Sequence, residues 1–146
     1  VDGYVSDIVR GDLFLEIQTG TFASITSKLN KLVRTHRIRL IYPIAGEKWI
    51  VKLPKGADDA GTRRKSPKKG RVQDLFRQLV SIPTLLADDN FELEVVMIRQ
   101  EEVRRYDGNR NWRRKGGGVE ERRLLDVIDR RLFVRPADVL DRLKNK

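Results

Sequence analysis

A turn signal stands between two short apolar runs near the start of this sequence, and it points to a sheet. Tyr4, Val5, Ile8 and Val9 precede Arg10-Gly11-Asp12, and Leu13-Phe14-Leu15-Glu16-Ile17-Gln18 follows before Thr19-Gly20. Two apolar runs joined through a Gly-containing turn read as a β-hairpin. Phe22, Ile25, Leu29, Leu32 and Val33 then recur at three- and four-residue steps, one face of an amphipathic helix. His36 and Arg37 close it, with cations where the helix dipole favours them.

The same reading continues down the chain. Ile38 to Tyr42 is a strand stopped by Pro43, Ala45-Gly46 is a turn, and Lys48 to Leu53 alternates like a strand with one wet face. Residues 54–71 form a basic loop. Val72, Leu75, Phe76, Leu79 and Val80 restore helical spacing as far as Pro83, and Phe91 to Ile98 is another strand. Val119, Leu124, Val127 and Ile128 make a helical stripe, and Pro136 opens a last helix with Val139, Leu140 and Leu143. The expectation is an α/β protein whose mixed central sheet, in the order β-β-α-β-β-α-β, is flanked by helices. The core covers residues 1–103, and a small basic two-helix appendage covers 104–146.

Composition narrows the chemistry. There is no cysteine and one histidine, His36, so thiolate zinc sites, thiol nucleophiles and multi-histidine metal sites are excluded. His36 reads as a helix-end residue, and Tyr42 and Trp49 as strand core. No nucleophile-elbow serine or Gly-rich phosphate loop is present. No apolar run approaches a membrane span and no signal-peptide pattern opens the chain, so a cytoplasmic protein without a membrane partner is expected. The chain opens on Val1, which reads as a trimmed chain or a domain cut from something longer. Thirty-one Lys and Arg against twenty-one Asp and Glu leave a net charge of +10, which favours a polyanionic partner.

Glu16 is the anomalous residue. It sits inside the most apolar strand, where burying a carboxylate costs several kcal/mol unless a cation compensates. A two-residue turn at Gly11-Asp12 pairs Arg10 with Leu13 and sets Asp7 opposite Glu16, with Cβ atoms about 4.5–5.5 Å apart. Two such carboxylates repel unless a divalent cation lies between them, and Mg²⁺ takes one or two protein carboxylates together with phosphate oxygens and water. The Ile17 carbonyl is a further oxygen ligand in this reading, and Gln18, on the face of Glu16, orients a water.

Asp7, then Glu16-Ile17-Gln18, then a helix and a strand, resemble the PD-(D/E)XK nuclease superfamily over about residues 2–53, with Glu-x-Gln in place of Glu-x-Lys. The resemblance implies a restriction-endonuclease-like core in which Asp7 and Glu16 hold Mg²⁺ or Mn²⁺. Gln18 takes the motif-lysine position, and a cation from the following helix, Lys28 or Lys31, supplies the missing charge. Asp2 is a rival to Asp7. The family's helix before the first of these strands has no counterpart here.

Two basic runs are the expected nucleic-acid contacts. Residues 62–71 hold six cations and no acid, including Arg63, Arg64, Lys65, Lys68 and Lys69. Arg110, Trp112, Arg113, Arg114 and Lys115 set an aromatic ring among cations, as base stacking requires. With Arg122, Arg123, Arg130, Arg131 and Arg135, the appendage resembles a helix-turn-helix or winged module. The expected function is Mg²⁺-dependent phosphodiester hydrolysis in DNA. A non-catalytic DNA- or RNA-binding module of the same fold, working as a homodimer or in a larger complex, is the alternative.

Overall fold

A computed structural model describes residues 8–54, 58, 60–105 and 118–134. It shows a strand-dominated mixed α/β protein with one six-stranded mixed sheet and few helices. Strands β1 (Ile8–Arg10) and β2 (Leu13–Ile17) form the hairpin, and Arg10 pairs with Leu13, Val9 with Phe14 and Ile8 with Leu15. The reversal is the expected two-residue turn at Gly11-Asp12. Gly11 has φ +63°, a value that suits a residue without a Cβ. A 3-10 turn at Phe22–Ser24 and helix α1 (Thr26–Leu32) lead to β3 (Arg37–Lys52), whose first residues run parallel to β2 from Leu13↔Arg37 to Ile17↔Ile41.

β3 corrects the expectation of two strands broken at Pro43 and Ala45-Gly46. Pro43 has no N–H to give a ladder, but it falls just past the last β2 pair, Ile17↔Ile41. Beyond it, Gly70 donates to the Ala45 carbonyl and Ser66 to that of Lys48, both at 2.8 Å. The basic loop is corrected with it, because Thr62–Lys65 forms β4, antiparallel to β3 from Trp49↔Lys65 to Lys52↔Thr62. The helical stretch after Arg71 is a 3-10 turn (Val72–Leu75) followed by α2 (Phe76–Leu79), and α3 (Pro83–Leu86) starts on its proline.

β5 runs from Phe91 to Arg105, seven residues past its expected end, and β6 from Gly118 to Phe133. The second of these overturns the expected appendage helix over 119–128. A helical stripe in the sequence yields here to cross-strand pairing, since β6 offers Arg122, Arg123 and Arg130 to glutamates of β5. The expected helix after Pro136 lies outside the described residues. No described helix is long and apolar enough to cross a membrane.

Contacts divide the chain into two compact units. Unit one draws its described residues from Val1–Ile44, Arg71–Val96 and Asp129–Lys146, and unit two from Ala45–Gly70 and Met97–Ile128. All described helices belong to unit one. Phe22, Leu29, Leu75 and Leu85 of these helices, Ile82 beside α3, and Ile38, Leu40 and Leu93 of the strands are all essentially without solvent contact and form the core of the unit. Unit two is sheet without a helix among the described residues, and its buried apolar side chains are Ile50, Ile98 and Val103.

Candidate functional site

β2 is apolar enough to bury, so the side chains that alternate onto its inner face lose water whatever their chemistry. Phe14 and Glu16 share that face, and both are buried. Glu16 pairs with Leu40 across the parallel ladder, and α1 supplies its counter-ion: Lys28 Nζ lies 2.8 Å from Glu16 Oε1. The pair is largely dry, with 19% of the Lys28 side chain and 10% of the Glu16 side chain exposed. Oε2 of Glu16 is buried and accepts no hydrogen bond among the described residues. A dry carboxylate oxygen without a donor is costly, and an ion or water at that oxygen would relieve the cost.

Gln18 is close in sequence but turned to a different task. Its Nε2 donates to the Thr21 carbonyl at 2.9 Å and to Ser24 Oγ at 3.0 Å, and its backbone N–H to the Ile41 carbonyl. The side-chain amide therefore fixes the 3-10 turn that starts the crossover. Ile17 pairs with Ile41 at the end of the strand, and Lys31 lies in the last turn of α1. Asp7 and Asp2 lie outside the described residues, so the structure brings together Glu16 and Lys28 of the expected set. No group of three or more His, Asp or Glu able to hold a metal occurs among the described residues.

The other singled-out residues of unit one are structural. His36 meets Phe14 edge to face at 4.4 Å, with Thr35 Oγ1 2.7 Å from its Nδ1. Tyr42 stands edge to face with Phe22 at 5.0 Å, and burial, with the Asp74 carboxylate adding to it, pushes its phenol above the ordinary value. The ring is half-buried, so the expectation of a strand-core tyrosine holds only in part.

The basic residues divide. On β4, Arg63 Nε lies 3.0 Å from Glu101 and its guanidinium is stacked 4.2 Å above the Trp49 ring, while Lys65 pairs with Glu47 at 3.5 Å. These two cations already have carboxylate partners on β5 and β3, although their side chains stay exposed. Arg64, Lys68 and Lys69 are exposed. Arg110, Trp112, Arg113, Arg114 and Lys115 lie outside the described residues. The stretches Ala45–Gly70 and Met97–Ile128 hold 17 of the Lys and Arg and 9 of the Asp and Glu, so 17 − 9 = +8 of the net charge belongs to unit two.

Sequence reasoning missed the four glutamates of β5. Arg37 and Arg39 hold Glu92 at 3.0 and 2.9 Å, and Arg130 holds Glu94 at 3.1 Å. Glu101 meets Arg63, and Glu102 meets Lys48 and Arg104. Burial raises the Glu102 carboxyl, but hydrogen bonds from Arg104 and Lys48 outweigh it and hold the group below the usual carboxylate range. The signal was the one noticed at Glu16: Glu92 and Glu94 alternate inside an otherwise apolar run.

Residues 1–134 match the family described as Domain of unknown function (DUF8091). The chain belongs to the DUF8091 family. A relative from Treponema pallidum (strain Nichols), described as an uncharacterized protein, is 30% identical over 128 residues. That alignment takes in 86% of this DUF8091 chain and 50% of the relative, so the chain spans about half the relative's length. No solved structure matches it significantly.

Proposed function

We propose that this DUF8091 chain is a DNA-acting domain of the PD-(D/E)XK nuclease type, with Glu16 as a carboxylate ligand of Mg²⁺ or Mn²⁺. The observation that carries the reading is the partnerless, buried Oε2 of Glu16, set beside the Lys28 ammonium on the strand that leads through a helix into a parallel neighbour. That order, with an antiparallel strand in front, also supports a restriction-endonuclease-like core. An anionic oxygen in a dry site suits a hard divalent cation.

Glu16 and, from the sequence, Asp7 are the residues that would hold the ion. When bound, such an ion lowers the pKa of a coordinated water and polarises a phosphodiester oxygen. The chain's own groups do the rest. Lys28 holds Glu16 Oε1 and so fixes which oxygen would be offered to the cation, and it brings a positive charge beside that carboxylate, of the kind that stabilises developing negative charge. Gln18 keeps the turn after β2 in place.

The test incubates plasmid and linear DNA with Mg²⁺ or Mn²⁺ beside an EDTA control, for the wild type and for Glu16→Ala and Gln18→Lys. Cleavage that needs metal and Glu16 is the expected result, and metal-dependent cleavage that survives Glu16→Ala refutes the reading. One observation favours a second reading, a non-catalytic DNA-binding module of the same fold. The Gln18 amide nitrogen is spent on Thr21 and Ser24, which leaves no cation at the motif-lysine position. Binding without cleavage under every metal condition selects that reading.

A further inference from the structure

The ion pairs of unit two are unevenly matched. Glu47, Glu101, Glu121 and Asp126 share Arg63, Lys65, Arg99 and Arg123, four acids with four cations. Successive residues of a strand face opposite sides, so Glu102 turns away from Glu101 and serves the other face. There, among the described residues, one paired acid, Glu102, meets three cations. Glu102, its side chain 5% exposed, takes Lys48 Nζ on Oε1 at 3.1 Å and Arg104 Nη2 on Oε2 at 2.8 Å. Arg122 Nε lies 3.7 Å from Oε1, too far for a hydrogen bond, and its side chain is 62% exposed.

Two cations satisfy both oxygens of the carboxylate. The third leaves this described cluster of four with a net charge of two where water is partly excluded, and the cations repel one another across it. Among the described residues donors also exceed acceptors, because Arg104 Nε is buried with no hydrogen-bond partner there. The missing component is an anion, and its seat is the exposed Arg122 guanidinium with Lys48 and Arg104 behind it. A guanidinium offers two parallel N–H groups to a phosphate, and an ammonium adds a compact charge.

We propose that Lys48, Arg104 and Arg122, gathered by Glu102, form a subsite for a phosphate of a nucleic-acid backbone. The subsite rests on the DNA-binding part of the reading above and is independent of cleavage. Glu102 acts as a positioning residue that holds the cations at fixed spacing before the phosphate arrives. The balanced face around Glu101 has no comparable surplus to offer.

The test measures binding of a fluorescein-labelled duplex oligonucleotide by anisotropy across a salt series. Each lost phosphate contact flattens the slope of log K against log salt by about 0.9. Lys48→Met/Arg122→Ala removes two cations and leaves Glu102 paired with Arg104, so the slope flattens by about 1.8. Raising salt from about 0.05 to 0.2 M then costs the wild type about 12-fold more affinity than it costs this variant. Arg122→Ala alone, whose side chain is 62% exposed, accounts for about 3.5-fold of that difference. Arg99→Gln, on the balanced face, keeps the wild-type slope. Wild-type slopes in both Arg122 variants overturn the subsite alone, as does an Arg99→Gln slope flattened as much as that of Arg122→Ala. A wild type that binds neither duplex nor single strand overturns the subsite together with the DNA reading.

Discussion

Lys28→Met isolates the electrostatics of the candidate site. Methionine keeps the aliphatic length of lysine and removes the charge, so packing of α1 on the sheet is retained while Glu16 loses its cation. Both carboxylate oxygens would then be dry and unpaired, since Oε2 already has no donor and 10% of the side chain meets solvent. Breaking a buried pair from one side costs about 3–5 kcal/mol, and the partial exposure of Lys28 sets the expectation near the lower end, about 3 kcal/mol. For a chain of this length that is a drop of roughly 6–12 °C in Tm. Glu16→Leu/Lys28→Met removes the carboxylate as well and should recover at least half of the loss, because an apolar pair leaves no buried charge behind. Thermal unfolding followed by circular dichroism reads both numbers. If the double variant is no more stable than Lys28→Met, the cost does not come from a stranded carboxylate, and the argument for an incomplete Glu16 falls.

Two further perturbations test the frame around the sites. Gly61 has φ +72° and a Cβ built there would lie 2.6 Å from the Lys52 carbonyl, so Gly61→Ala should destabilise by more than about 1 kcal/mol in urea unfolding, whereas a neutral result would show that this turn relaxes freely. Glu102 has a folded-state carboxyl held low, so it adds stability above the ordinary glutamate range, and that stability disappears as pH falls through the depressed value. Glu102→Gln should therefore lose stability at pH 7 and flatten the acid limb of a Tm–pH curve, and an acid limb identical to the wild type would remove Glu102 from that role.

The hairpin and its crossover were legible because their signals are local. Gly11-Asp12 encodes its own turn, and the spacing of Leu29, Leu32 and Val33 encodes the buried face of α1. The long strands were not legible, because what forms them is remote in sequence. Pro43 and Gly46 look like breaks until Gly70 and Ser66 arrive to bond the same stretch of β3. Lys28 could be nominated from the sequence, but the pairing of Glu16 with it, and the empty Oε2, needed the helix and strand in one frame. The surplus of cations was visible from composition. How much of it is consumed internally was not, since each glutamate of β5 draws on strands far away in the chain.

β6 stands at the end of the sheet order, with Leu124, Leu125, Val127 and Ile128 exposed. A long edge of this kind invites other chains to add to it, and the segments that do so run five to seven residues with few charges. Between Glu120 and Val134 no uncharged run exceeds three residues, because Asp126 splits the apolar centre and Arg122-Arg123 and Asp129-Arg130-Arg131 close it on either side. These charges are gatekeepers. The paired spacing that gave the segment a helical look also keeps it from templating fibrils, and neutralising Asp126 alone would create an uninterrupted five-residue uncharged stretch from Leu124 to Ile128.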